Sequence, residues 1–121
     1  MIDCIVVGIG GFIGAVCRYL IGFISLKEGS MFPFKTFVIN IVGSFLIGII
    51  AALALKNDSL SPRIVLFLKV GICGGFTTFS SFALETGNLM KSGNVRIALL
   101  YAILSMAAGL IAVFAGGAVI R

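Results

Sequence analysis

The chain contains no histidine, only three cysteines and only four acidic residues in 121 positions. Without an imidazole, acid–base or nucleophilic catalysis through histidine is excluded. No C-x-x-C pair occurs either, so a zinc or haem site lacks its usual ligands. Cys4, Cys17 and Cys73 are odd in number, far apart and embedded in apolar runs, which argues against a secreted disulfide scaffold. Charge of either sign is scarce, at 11% of residues, against about 25% in soluble domains. What fills the chain instead is apolar: 60% of residues are hydrophobic and the mean hydropathy is +1.25. These values describe an integral membrane protein. A chain of this length holds about four helical spans of roughly 20 residues.

Four apolar stretches cover residues 4–26, 34–55, 64–84 and 97–120 of a single domain, 1–121. The short separators between them carry nearly all the charge. Only helices and closed barrels satisfy their backbone in lipid, and barrels show alternating runs of about 10 residues, so an all-α fold of four spans is expected. An even number of crossings places both termini on one side. The first span lacks a basic leader and a small-residue cleavage site, so it reads as retained rather than as a signal peptide. The nine basic residues are scattered over loops and helix ends, a pattern of membrane flanks and not of nucleic-acid binding. Lys56, Arg63, Arg121 and, if it snorkels outward, Lys69 stand on one side, against Lys27, Lys35, Lys91 and Arg96 on the other. So even a division gives little orientation bias and suggests insertion both ways with an antiparallel dimer; charge alone leaves a weakly encoded single orientation equally open.

Small residues at helical spacing mark faces where helices approach closely in lipid. The expected stripes are Gly11, Ala15, Arg18 and Gly22; Thr36, Asn40, Ser44 and Gly48; Gly71 and Gly75; and Tyr101, Ser105, Gly109, Ala112 and Gly116. The run from Gly8 to Gly14 is not a dinucleotide fingerprint, because the third glycine of G-x-G-x-x-G would fall on Ile13 and no strand precedes it. No G-K-[ST] phosphate loop occurs, so ATP-driven transport is unsupported.

Polar side chains within the spans are functional candidates by default. Asn40 carries an amide suited either to an ion or to an interhelical hydrogen bond. Arg18, about two thirds along the first span, can snorkel or lend positive potential to a vestibule. Tyr101 and Ser105 stand one turn apart on one face of the fourth span. The segment Gly74-Gly75-Phe76-Thr77-Thr78-Phe79-Ser80-Ser81-Phe82 places two glycines and four hydroxyl residues in an apolar span, and is expected to break the helix near its middle. Phe79 and Phe82 then share a face, and their ring edges with the Asn40 amide could hold a small desolvated anion. No carboxylate is centrally placed: Asp3, Glu28 and Asp58 are terminal or in loops, and Glu85 lies at the exit of the third span. Passive conduction of an anion fits this inventory better than proton exchange.

Three segments together carry a resemblance: Gly10-Gly11-Phe12-Ile13-Gly14-Ala15 with Arg18-Tyr19, Asn40-Ile41-Val42-Gly43-Ser44-Phe45, and Gly74 to Phe82. In this order and chain length they resemble the Fluc (CrcB) family of bacterial fluoride channels. The resemblance implies a multi-pass protein of the bacterial inner membrane and a dual-topology homodimer with two antiparallel pores. It also implies a structural sodium ion at the dimer centre. By motif, Asn40 becomes the pore amide, Phe79 and Phe82 the ring edges facing fluoride, and Ser80 and Ser81 polar neighbours of that path. Tyr101 and Ser105 match a hydroxyl track, Arg18 a vestibule arginine, and Glu85 a polar residue near the pore end. Backbone carbonyls of Gly74 and Thr77 would hold the sodium, with Gly75 and Thr78 as the alternatives within each adjacent pair. Partners are thus fluoride, sodium, the lipid bilayer and a second copy, and not nucleic acid; no enzyme activity is expected. The implied activity is passive, selective fluoride export that limits fluoride toxicity. The competing reading is a small multidrug-type proton-coupled antiporter, which needs a glutamate in its first span where this chain has Arg18. A membrane scaffold without transport is a third, and it leaves the polar third span unexplained.

Overall fold

A computed structural model describes residues 1–24 and 29–120. The expected end of the first span at residues 25–26, the loop charges Lys27 and Glu28, and Arg121 lie outside the described residues. All regular structure described is helical. Helix α1 covers Ile2–Ile21 and α2 covers Phe34–Lys56. The third span is composite: α3 (Pro62–Leu66), a π-helical stretch (Phe67–Cys73), α4 (Gly74–Phe76) and, after two non-helical residues, α5 (Phe79–Lys91). Helix α6 covers Val95–Val119. Four helices are long and apolar enough to cross a membrane, the third counted across its break.

Local chemistry sets the ends. Pro62 opens α3, where its missing N–H is no loss, and the Ser61 hydroxyl accepts from the Arg63 amide at 3.2 Å. Gly93 takes φ +87°, a left-handed conformation, and lets the chain reverse between α5 and α6. Helix α1 stops at Ile21, earlier than the apolar run, with Lys35 Nζ donating to the Gly22 carbonyl at 2.6 Å. Arg18 therefore sits in the last turn of α1 rather than two thirds along a longer helix. The third span also runs on to Lys91, past the expected end at residue 84, because the polar residues after Leu84 keep helical backbone.

Helix α2 packs chiefly on α6, and α1 on the π-helical stretch and α4. Both contacts use glycine to bring backbones together. A Cβ on Gly116 would collide with the Phe45 carbonyl, and one on Gly14 would collide with the Ile72 carbonyl. On α1 the packed positions are Gly10 and Gly14, not the expected stripe through Gly11, Ala15, Arg18 and Gly22. The closest approach to the third span falls one residue earlier in register, although Gly11 still backs Gly75. The other stripes hold better: Thr36, Gly48, Gly71, Tyr101, Ala112 and Gly116 are buried, and Tyr101 is fully so.

Asp3 and Arg63 form an ion pair at 3.0 Å, tying the start of α1 to the start of α3. Lys56 and Asn57 share a cleft with Val119 and Ile120. The two termini and the second loop therefore lie at one end, as four crossings require. At the other end the Phe32 ring meets Tyr101 edge-on, centroids 5.3 Å apart. Most of each span's surface is left uncovered by the rest of the chain.

Candidate functional site

The third span breaks at Thr77 and Thr78, which have φ/ψ of −80°/158° and −147°/112°. The glycines expected to weaken the helix stay helical, Gly74 at −63°/−38°. What the break does to its own backbone can be followed group by group. The Thr77 amide and hydroxyl both donate to the Cys73 carbonyl, at 3.1 and 2.9 Å. Asn40, from α2, pairs with Thr78 through both ends of its amide: the Thr78 N–H donates to Asn40 Oδ1 at 2.8 Å, and Asn40 Nδ2 donates to the Thr78 carbonyl at 3.1 Å. Arg18 Nε donates to the Gly75 carbonyl at 3.2 Å. The Thr78 hydroxyl caps α5, accepting from the Ser81 amide at 3.2 Å.

Besides Gly75, whose carbonyl Arg18 takes, the carbonyls of Gly74, Phe76 and Thr77 lose their ordinary partners at the break. In an unbroken helix Gly74 would receive the Thr78 amide, which is turned to Asn40, and Thr77 would receive the Ser81 amide, which is turned to the Thr78 hydroxyl. The carbonyls of Gly75 and Thr78 are engaged by Arg18 and Asn40. Exposed carbonyls at such a break are ready ligands for a small cation.

Beside the break lies an open cavity of about 410 Å³, lined among others by Asn40, Ser44, Gly74, Thr77, Thr78, Phe79, Phe82 and Ser105. Asn40 keeps one N–H beyond the bond to Thr78. Ser44 donates to the Asn40 carbonyl at 2.7 Å. The Ser105 hydroxyl is buried and, among the described residues, has no hydrogen-bond partner. Phe79 and Phe82 open α5 with ring centroids 5.8 Å apart and planes tilted by 46°, and Phe79 is 78% exposed. Phe82 also packs on Tyr101, centroids 5.0 Å apart.

Of the expected site residues, Asn40, Phe79, Phe82, Ser105, Gly74, Thr77 and Thr78 thus meet at one place. Ser80 is exposed, its hydroxyl 3.4 Å from that of Thr78. Glu85 is placed differently from the expectation. It lies within α5 and accepts from the Thr36 hydroxyl and the Tyr101 hydroxyl, each at 2.8 Å. The Tyr101 hydroxyl is therefore committed to a carboxylate, while that of Ser105 has no partner among the described residues, although both stand on one face of α6. Thr36 was expected only to pack. Its place four residues before Asn40, on the same face of α2, was the available signal.

The family model described as CrcB-like protein, Camphor Resistance (CrcB), matches residues 5–117. The chain belongs to the CrcB family. Curated relatives include the protein named Fluoride-specific ion channel FluC of Chlorobaculum tepidum, 49% identical over 116 residues (96% of this chain, 92% of the relative). The protein of the same name from Chlorobium chlorochromatii is 45% identical over 112 residues (93% and 87%). That of Agrobacterium fabrum is 44% identical over 117 residues (96% and 94%). This CrcB-family chain thus aligns with these relatives over nearly its whole length, including every segment that builds the cavity.

Proposed function

We propose that the protein is a passive, fluoride-selective channel of the bacterial inner membrane, exporting fluoride down its electrochemical gradient and so limiting its toxicity. The observation that carries this reading is the cavity itself: an unpaired Ser105 hydroxyl and the spare Asn40 N–H face it beside the Phe79 and Phe82 rings. Fluoride is small and strongly hydrated, so donors must replace its water along a narrow path, and several weak sites let it leave. Phenyl edges carry positive potential and suit the same anion. Tyr101 and Glu85 continue the polar path along the bundle, with Ser80 and Ser81 flanking its start. Arg18, at the end of α1, adds positive potential at the mouth. No turnover chemistry is involved.

A single copy leaves the cavity open and Phe79 largely uncovered. A second copy, inserted the other way up as the even charge division allows, closes it. The site chemistry fits a sodium ion at the seam of that homodimer: the carbonyls of Gly74 and Thr77, deprived of their helical partners, are hard oxygen ligands, whereas those of Gly75 and Thr78 are engaged. Bound there, the ion would supply fixed positive charge between the copies.

The antiporter alternative has no support: the first span holds Arg18 and no carboxylate at mid-depth, and the relatives are named as channels. Fluoride efflux from proteoliposomes, compared with and without a proton gradient, separates the two. A channel releases fluoride in both cases; an exchanger requires the gradient.

A further inference from the structure

We infer that Arg18 has a second task, distinct from lending charge to the channel mouth: acting through the Gly75 carbonyl, it positions the free carbonyls of Gly74 and Thr77. The inference rests on the sodium reading above and names the residue that sets that site's affinity.

In an unbroken helix Gly75 would receive the amide of Phe79. The extended Thr77 and Thr78 carry that amide away into the start of α5. A backbone carbonyl without a donor is strongly disfavoured at membrane depth. Arg18 supplies the donor, with Nε 3.2 Å from the Gly75 oxygen. Because the donor is cationic, the bond is stronger than the amide bond it replaces.

Gly75 is also pressed against α1 from its Cα side, where an added Cβ would lie 2.5 Å from the Gly11 carbonyl oxygen. The peptide joining Gly75 to Phe76 is therefore fixed to α1 at two points. It stands between the carbonyl of Gly74, before it, and those of Phe76 and Thr77, after it, none of which has a backbone donor among the described residues. Thr77 is held in turn by its amide and hydroxyl on Cys73. Released from Arg18, the Gly75 peptide could rotate and turn its neighbours' oxygens with it. A cation site built from carbonyls gains affinity from oxygens already in place before the ion arrives. Arg18 is thus a positioning residue for the carbonyl pair.

Side-chain isosteres separate this task from that of its charge. Arg18→Gln places an N–H donor at the position of Nε and removes the charge; Arg18→Met places a methyl there and removes both. The readout is heat-induced loss of the purified, detergent-solubilised protein across a series of sodium concentrations, with potassium holding ionic strength constant. Stabilisation by a ligand follows its occupancy. The unmodified protein and Arg18→Gln should be half-stabilised at similar sodium concentrations, while Arg18→Met should need about tenfold more, as expected for loss of one charge-assisted bond. Unchanged sodium dependence in Arg18→Met, or an equal rise in both variants, would overturn the positioning role. If Arg18→Met does not assemble, Arg18→Gln still decides, since a tenfold rise there shows that charge and not the donor matters. Indifference of the unmodified protein to sodium would overturn the sodium reading, and this inference with it.

Discussion

Asn40 and Thr78, 38 positions apart, are joined by two hydrogen bonds that use both ends of the asparagine amide. The side chain thereby takes the place of the neighbouring helical turn for a residue that has left the helix. Asn40 is both the clamp of the break and a wall of the cavity, and substitutions at it act on both. Asn40→Ala leaves the Thr78 N–H without a partner, at about 1–3 kcal/mol, and removes a second donor from the Thr78 carbonyl, which caps α5; it should lower the thermal midpoint as well as fluoride flux. Asn40→Asp keeps an acceptor for the Thr78 N–H but puts negative charge in the path. It should reduce flux in liposomes by more than tenfold, with a smaller stability loss than Asn40→Ala, measured as the thermal midpoint of the purified protein.

The two phenylalanines differ in their surroundings. Phe79 is largely uncovered, whereas Phe82 is packed on Tyr101. Both Phe79→Ile and Phe82→Ile should abolish fluoride flux while size-exclusion chromatography gives the elution volume of the unmodified protein. Flux at the unmodified rate in both variants would remove the ring edges from the mechanism.

Ser105 offers a sign test. A buried hydroxyl without a partner costs roughly 1–3 kcal/mol, so Ser105→Ala should leave thermal stability unchanged or raise it. The same substitution removes a donor from the cavity and should slow fluoride efflux. A loss of stability would mean that the hydroxyl serves packing.

Glycine positions divide by the space around them. Gly14→Ala drives a Cβ into the Ile72 carbonyl, so α1 must shift from the third span; overpacking of this kind costs about 1–3 kcal/mol. Gly8→Ala, on the same helix with nothing near its Cβ, should be neutral or stabilise by up to about 1 kcal/mol. Thermal midpoints of the two purified variants make the comparison.

Four spans, their even number and the interruption of the third were legible in the sequence because each depends on local composition: apolar run length, charge at the separators, and glycine with hydroxyl residues inside one run. The meeting of Asn40, Phe79 and Phe82 at one place was likewise accessible through the motifs. Which residue leaves the helix was not. Glycine and hydroxyl residues mark the whole segment from Gly74 to Phe82, and the break within it falls where Asn40 can replace the lost ladder, a contact between residues far apart in sequence. The π-helical stretch Phe67–Cys73 carries no compositional signal, being mostly apolar like any span. Hydropathy ends at Leu84 and so places Glu85 at a span exit. Helical backbone does not end there, and Thr36 and Tyr101 draw the carboxylate into the bundle. On the sodium reading proposed above, the sequence leaves the paired Gly and Thr carbonyls equivalent for the same reason: what differs between them is the hydrogen bonding of Gly75 and Thr78 to side chains on α1 and α2.

The most direct measurement is fluoride release from proteoliposomes of the purified protein, followed with a fluoride electrode while a potassium ionophore balances charge and no proton gradient is applied. Rapid release of fluoride, with chloride retained in parallel vesicles, is the predicted result. Vesicles that hold their fluoride, or release it only when a proton gradient is imposed, would contradict a donor-lined passive path.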